Sequence, residues 1–102
     1  MNVQLSAVDQ ERGRIRLPSS FDSSCIAGYR SPFTKLLSLG GNARLVVDFS
    51  GLTYIDSVGI ATLITWERLC KERGKALVLE GCSKPVIDAL KLLGVHRLFT
   101  IH

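Results

Sequence analysis

The amino-acid sequence predicts a single α/β domain over residues 1–102, a mixed central β-sheet with helices packed on it, in the order β-β-α-β-α-β-α-β. Three observations predict it. The runs Arg44 to Phe49 and Ala76 to Glu80 are of strand length and almost continuously apolar, as strands covered on both faces are. Stretches with 3.6-residue periodicity stand between them. A β-α-β unit closes by a right-handed crossover, which makes the centre of the sheet parallel. With 102 residues, 46% of them hydrophobic, the chain has the size of one domain with one modest core.

The elements follow in order. Val3, Leu5 and Ala7 alternate with Gln4 and Ser6, so Val3 to Val8 reads as a first strand. Asp9 to Gly13 is a hairpin-like turn. Arg14 to Leu17 alternates again, stops at Pro18, and pairs antiparallel with the first strand. Ser19 to Ser24 is a loop rich in helix-capping residues. Ile26, Tyr29, Phe33, Leu36 and Leu37 then recur at helical spacing, with Pro32 inside the pattern. Proline removes a donor and clashes with the carbonyl four residues back. Either the helix kinks there, or Ser31 caps a helix with Pro32 in its first turn; both readings stand. Gly40-Gly41-Asn42 ends the element.

After the strand Arg44 to Phe49, Gly59, Leu63, Trp66 and Cys70 form one helical stripe, widened by Ile60 and Ile64. Glu67, Lys71 and Glu72 mark its wet side, and Gly74 stops it. Ser83 caps a last helix with Pro85 in its first turn. Val86, Ala89, Leu90 and Leu93 face inward, and Gly94 terminates it. Leu98 to Ile101 is a short final extended piece.

Composition excludes several classes. No apolar run is long enough to span a bilayer, so no direct membrane insertion is expected. The first residues lack a basic stretch followed by an apolar one, and a cytoplasmic protein is expected. Cys25, Cys70 and Cys82 are odd in number and far apart, which reads as reduced thiols. Two histidines, one of them the last residue, leave too few ligands for a zinc site, so no metal and no cofactor are expected. The net charge of +4 is spread over Arg12, Arg14 and Arg16 and over Arg68, Lys71, Arg73 and Lys75, without interleaved aromatics or a recognition motif. This is a solvated surface, able to meet an acidic partner, and no nucleic-acid binding is expected.

The segment from Leu45 to Ile60 carries the functional signal. It is a buried strand, a tight turn at Ser50-Gly51, a short second extended piece, and then Asp56-Ser57 at the mouth of a helix. An Asp or Ser in that place is most often only a cap. Gly59 clears space at the helix entrance, Gly51 frees the preceding turn, and the site stands at the carboxyl end of a sheet strand, where α/β folds place function. Free amides and the helix dipole favour a negative group at a helix N-terminus. The fold would accept a phosphoserine, while a partner pressed on the turn would have to desolvate it beside Asp56. Ser57 is not expected to be a catalyst. His96 is the one non-terminal histidine and nothing in the sequence places it near Ser57. There is no Gly-x-Ser-x-Gly elbow and no phosphate-cradling glycine loop with Lys. No enzyme activity is expected.

These residues resemble the STAS family. The resemblance runs from about Arg14 to Ile101. It rests on Val46-Val47-Asp48-Phe49-Ser50-Gly51-Leu52, Tyr54-Ile55-Asp56-Ser57 and Gly59-Ile60-Ala61. Leu17-Pro18 with Phe21-Asp22, and the ending Leu92-Leu93-Gly94-Val95-His96-Arg97-Leu98-Phe99, add to it. The resemblance implies an anti-sigma factor antagonist. In such proteins the serine after the Asp is phosphorylated by the anti-sigma factor, itself a serine kinase, and a PP2C-type phosphatase resets it. The unmodified form binds the anti-sigma factor and releases the sigma factor. Ser57 matches the phosphorylated position, and Asp56, Ser57, Val58, Gly59 and Asp22 are the expected partner-binding residues. Many antagonists carry a second hydroxyl residue where this chain has Val58. The STAS subunit of bacterial ABC phospholipid transporters is similar in the same pattern. It implies docking of the turn on the transporter ATPase without a kinase cycle.

Overall fold

The computed structural model describes residues 7–39 and 41–102. Ten elements follow one another: β1 Val8–Asp9, β2 Arg14–Arg16, β3 Ser20–Phe21, α1 Ala27–Ser38, β4 Arg44–Asp48, β5 Tyr54–Ile55, α2 Ser57–Glu72, β6 Ala76–Glu80, α3 Lys84–Leu92 and β7 Thr100–Ile101. A 3-10 turn, His96–Leu98, precedes β7. Five strands form the main sheet in the order β1-β2-β4-β6-β7, antiparallel between β1 and β2 and parallel elsewhere. The expected mixed sheet with a parallel centre is therefore present. The expected first strand survives as Val8–Asp9, and Val3 to Ser6 lie outside the described residues.

Strands β4 and β6 are the middle of the sheet because neither face of them meets water. Leu45, Val47, Leu77 and Leu79 are at most 1% exposed and join the main core. Val46 and Val78, in register with each other, point to the opposite face and are buried as well. Helices α1 and α2 pack on each other through aromatic side chains. Phe33 stacks on Trp66 with ring centres 4.2 Å apart and planes at 3°. Phe21 of β3 meets Tyr29 edge-on at 5.5 Å and Trp66 at 5.7 Å. Such pairs add about 0.5–1.5 kcal/mol each beyond the area they bury.

The structure departs from the sequence expectations at several places. The segment 19–24 is not all loop: Ser20–Phe21 pairs in parallel with Tyr54–Ile55 as a separate two-stranded sheet. A single helix, Ala27–Ser38, runs through Pro32, so Ser31 does not start a new helix. The turn before α1 already nucleates it, since the Asp22 carbonyl accepts the N–H groups of Cys25 and Ile26, both at 3.1 Å. The apolar face Tyr29, Phe33, Leu36 and Leu37 then holds both sides of the proline to one core. Leu93 does not face inward but is 57% exposed, because α3 ends at Leu92 and Gly94, at φ +73°, turns the chain. Gly51 is not in the left-handed region, so its turn does not require a glycine; the Asp48 carboxylate shapes it by accepting the Ser50 N–H at 2.9 Å.

Glu67, expected on the wet side of α2, is half-buried, and its Oε2 is buried without a hydrogen-bond partner. Burial pushes its carboxyl above the ordinary range, against the pull of Lys71. An acid whose folded pKa is raised costs stability above that pKa and nothing below the unfolded value. Glu67→Gln is therefore expected to stabilise by a few tenths of a kcal/mol at pH 7 and by nothing near pH 3. Urea midpoints at the two pH values check this, and an equal effect at both contradicts it.

The three cysteines are free thiols. Burial pushes Cys70 and Cys82 up to about 11, which keeps both protonated and unreactive at neutral pH.

Candidate functional site

The site is built where β4, the turn after it, β5 and α2 succeed one another. Asp48 ends β4, and the turn 49–53 is closed by the Leu52 N–H on the Phe49 carbonyl at 2.9 Å. The Ser19 carbonyl takes the N–H groups of Thr53 and Tyr54 at 2.8 and 3.1 Å, which lays β5 against β3. Asp56 is extended, at φ −99° and ψ −178°, and caps α2: its Oδ1 accepts the Gly59 N–H at 2.8 Å. Its backbone carbonyl accepts the Ile60 N–H at 3.0 Å, the first bond of the helix. Ser57 is thus the first helical residue and is exposed.

The second oxygen of Asp56 reaches across to the other loop, where Oδ2 accepts the Ser23 N–H at 3.4 Å. Asp22, next in the chain, is half-buried, and its Oδ1 accepts the N–H of Ser24 at 3.0 Å and the Ser24 hydroxyl. The two aspartates expected at the site therefore belong to one junction, the N-terminal turn of α2 and the loop entering α1. Asp56 is also the N-cap of α2, and Asp22 closes the turn that leads into α1. Asp56→Ala is expected to cost about 1 kcal/mol, the usual worth of a lost N-cap, and to free the Ser23 loop. A denaturation midpoint checks the first; loss of hydrogen-exchange protection at the Ser23 amide checks the second. A midpoint unchanged from the parent protein contradicts the capping role.

Gly59 faces the interior. It is buried, and a Cβ built on it would lie 2.3 Å from the Phe21 carbonyl oxygen and 2.7 Å from Ile55 Cγ1. The space it clears is filled by the backbone of β3, and this contact seats α2 on the two-stranded sheet. Val58 and Tyr54, by contrast, are 45% and 55% exposed. The exposure of Tyr54 leaves no sequence signal, because a two-residue strand has no periodicity from which to tell its outward side. Ser57 thus stands in the chain between two exposed apolar residues and directly after the capping carboxylate of Asp56. His96 lies in the 3-10 turn after α3, half-buried, with its Nδ1 buried and without a hydrogen-bond partner.

An ion-pair cluster supports the strand ends below the site. Arg14 donates to Glu80 at 2.8 Å and lies 3.9 Å from Asp48. The Arg14 hydrogen bond holds the Glu80 carboxyl below its ordinary range. Burial works against ionisation of Asp48, but hydrogen bonds from Ser50 with the charges of Arg14 and Arg16 outweigh it, and its carboxyl is also held low. Folded-state values below the unfolded ones give stability that is present above the unfolded pKa and lost as the pH falls through the folded one. Exposure to solvent keeps the cluster's contribution small. Arg14→Ala is expected to be slightly less stable than the parent at pH 7, with the gap closing as the pH falls below about 4. Thermal midpoints across this range check it; a constant gap would show that Arg14 acts by packing alone.

The chain belongs to the STAS domain family: residues 5–100 match the family model described as "Mlab, STAS domain". Among solved structures, the fold is shared with the anti-sigma factor antagonist SpoIIAA in its unphosphorylated form, at TM-score 0.70 and 19% identity over 97% of this chain and 86% of that one. The phosphorylated form of the Bacillus cell fate determinant SpoIIAA matches at TM-score 0.69 and 19% identity, over 97% and 89%. A sulfate transporter family protein from Wolinella succinogenes matches at TM-score 0.72 and 16% identity, over 92% and 79%. Among the described residues, no helix is long and apolar enough to cross a membrane.

Proposed function

We propose that this chain is a non-catalytic docking domain of the anti-sigma factor antagonist type. Its unmodified form binds an anti-sigma factor that is also a serine kinase, and phosphorylation of Ser57 abolishes binding until a PP2C-type phosphatase resets it. The observation that carries this reading is the position of Ser57: exposed, first in α2, and directly after the capping Asp56. Asp56 spends one oxygen on the Gly59 N–H, which leaves the amides of Ser57 and Val58 without helical partners. A phosphate on Ser57 would meet those amides and the positive end of the helix. The fold would tolerate the charge; a partner covering Tyr54, Ser57 and Val58 would have to strip it of water beside a second carboxylate.

A second reading is the STAS subunit of a bacterial ABC phospholipid transporter, docked by the same turn on the ATPase. The Mlab description of the matching family model favours it, as does Val58, an exposed apolar residue where a second hydroxyl is common in antagonists. Co-purification with the affinity-tagged protein from its own cells separates the two. Recovery of a serine kinase that also binds a sigma factor supports the antagonist; stoichiometric recovery of an ABC ATPase and its permease replaces it with the transporter subunit.

A further inference from the structure

Helix α2 carries two apolar stripes, and the core uses one. Gly59, Ile60, Leu63, Trp66 and Cys70 are buried. Val58, Thr62, Thr65 and Leu69 follow one another at spacings of four, three and four residues, which aligns them on a second face. Val58 and Thr65 are exposed, and Thr62 and Leu69 half-buried. The threonines are less polar than they read. Thr62 donates its hydroxyl to the Val58 carbonyl at 2.8 Å and Thr65 to the Ala61 carbonyl at 3.1 Å. On α1, Thr34 donates to the Arg30 carbonyl at 2.9 Å. Hydroxyls spent on their own helix leave the methyl groups as the available surface.

Thr62, Thr65 and Leu69 line a groove of about 360 Å³ between the two helices, with Trp66 in it and Ile26, Arg30 and Thr34 on the α1 side. Beyond the Arg30–Thr34 ridge, a shallower hollow is lined by Ser31 and Lys35. The charge here is of one sign. From Ala27 to Ser38 helix α1 has no acid and carries Arg30 and Lys35, both exposed. The chain has nine acids. Asp9, Asp48, Glu72, Glu80 and Asp88 pair with Arg12, Arg14, Arg68 and Lys84, Asp22 closes a turn and Asp56 caps α2, and none of the nine, Glu11 and Glu67 included, lines the groove. Among the described residues Arg30 and Lys35 enter no ion pair.

We propose that the α1–α2 groove receives an acidic amphipathic helix of the partner. Its apolar side chains lie along Val58, Thr62, Thr65 and Leu69, and its carboxylates face Arg30 and Lys35. Eleven residues separate Val58 from Leu69, roughly 16 Å of helix or three turns, the length of an ordinary globular helix. A groove with Arg30 on its α1 wall and Lys35 just beyond that wall fits a rod of complementary charge; a flat anionic bilayer would leave the floor at Trp66 unfilled. The stripe begins at Val58, beside Ser57, so one end of the docked helix abuts the modified hydroxyl. The inference rests on the reading that the partner docks at the α2 turn, and it adds where the partner continues and what chemistry it brings.

The test is a titration of the 15N-labelled full chain, followed by amide shifts. The probe is a model helical peptide of about 15–18 residues, long enough to fold, with leucines at i, i+3, i+4, i+7 flanked by glutamates. Its counterpart has lysine at every glutamate. The expected result is movement of the Arg30, Thr62, Thr65 and Leu69 amides with the glutamate peptide, at least about tenfold tighter than with the lysine peptide. The double variant Arg30→Glu, Lys35→Glu should reverse the preference. Equal affinity for both peptides, or shifts confined to the exposed Leu92, Leu93 and Leu98, would overturn the proposal. Shifts of the groove amides with phosphatidylglycerol vesicles but not with the glutamate peptide would overturn it in favour of a membrane surface. Ser57→Asp, assayed in parallel against the co-purified partner, separates the two claims. Weakening by Ser57→Asp together with an inert groove leaves the switch and removes the groove. A responsive groove with unweakened Ser57→Asp does the reverse.

Discussion

Replacing Ser57 with aspartate is expected to weaken partner binding about a hundredfold or more, roughly 3 kcal/mol, while the thermal midpoint moves by no more than a few degrees. Ser57 is exposed at the first position of α2, where an added carboxylate meets free amides and the favourable end of the helix dipole. The folded domain therefore loses nothing by carrying it. The complex does, because Tyr54, three residues before, and Val58, the next residue, are exposed and a partner resting on them excludes water from position 57. Truncating or mismatching one side of a desolvated charged contact costs about 2–5 kcal/mol. Ser57→Ala removes a hydroxyl without adding charge and is expected to bind as tightly as the unmodified protein and to stay bound in the presence of the kinase. Isothermal titration of the co-purified partner measures both. Undiminished binding by Ser57→Asp would show that position 57 lies outside the interface.

The second large effect is on the fold. Gly59→Ala ought to favour helix formation by about 1 kcal/mol. The methyl group would, however, be placed 2.3 Å from the Phe21 carbonyl oxygen and 2.7 Å from Ile55 Cγ1. The first of these is backbone and cannot turn aside; β3 or the start of α2 has to move. Overpacking of this kind costs about 1–3 kcal/mol and occasionally more, and Phe21 transmits the shift to Tyr29 and Trp66. The expected net loss is about 2 kcal/mol, a fall of roughly 8–16 °C in Tm for a domain of this size. Because Asp56 caps the Gly59 amide, the displaced turn should also bind partner less tightly. A Tm equal to or above that of the parent protein would mean that helix propensity outweighs the contact.

The strands and helices with long apolar patterns were legible in the sequence. Strand β6 falls on the predicted Ala76 to Glu80, and Gly74, at φ +69°, ends α2 as expected. Burial on both faces leaves an unbroken apolar run, and a left-handed turn selects glycine. The pairing of β3 with β5 was not legible, because two-residue strands are defined by what they pair with. The course of α1 through Pro32 was open for the same reason: the core residues on both sides decide it, and propensity does not. Asp56 was readable as a cap, and the structure adds that its second oxygen holds the Ser23 loop. That contact spans residues far apart in the chain and leaves no local pattern. Gly59 was singled out as clearing space at the helix start; only the fold reveals that the Phe21 backbone fills that space.

The intact mass of the protein purified from its own cells under growth and under stress, with fragmentation of the peptide around Ser57, decides whether Ser57 is a switch. A single phosphate, placed on Ser57 and varying with condition, is the predicted result. A protein unmodified in every condition, recovered bound to an ABC ATPase, would contradict the switch and identify the α2 turn as a constitutive docking surface.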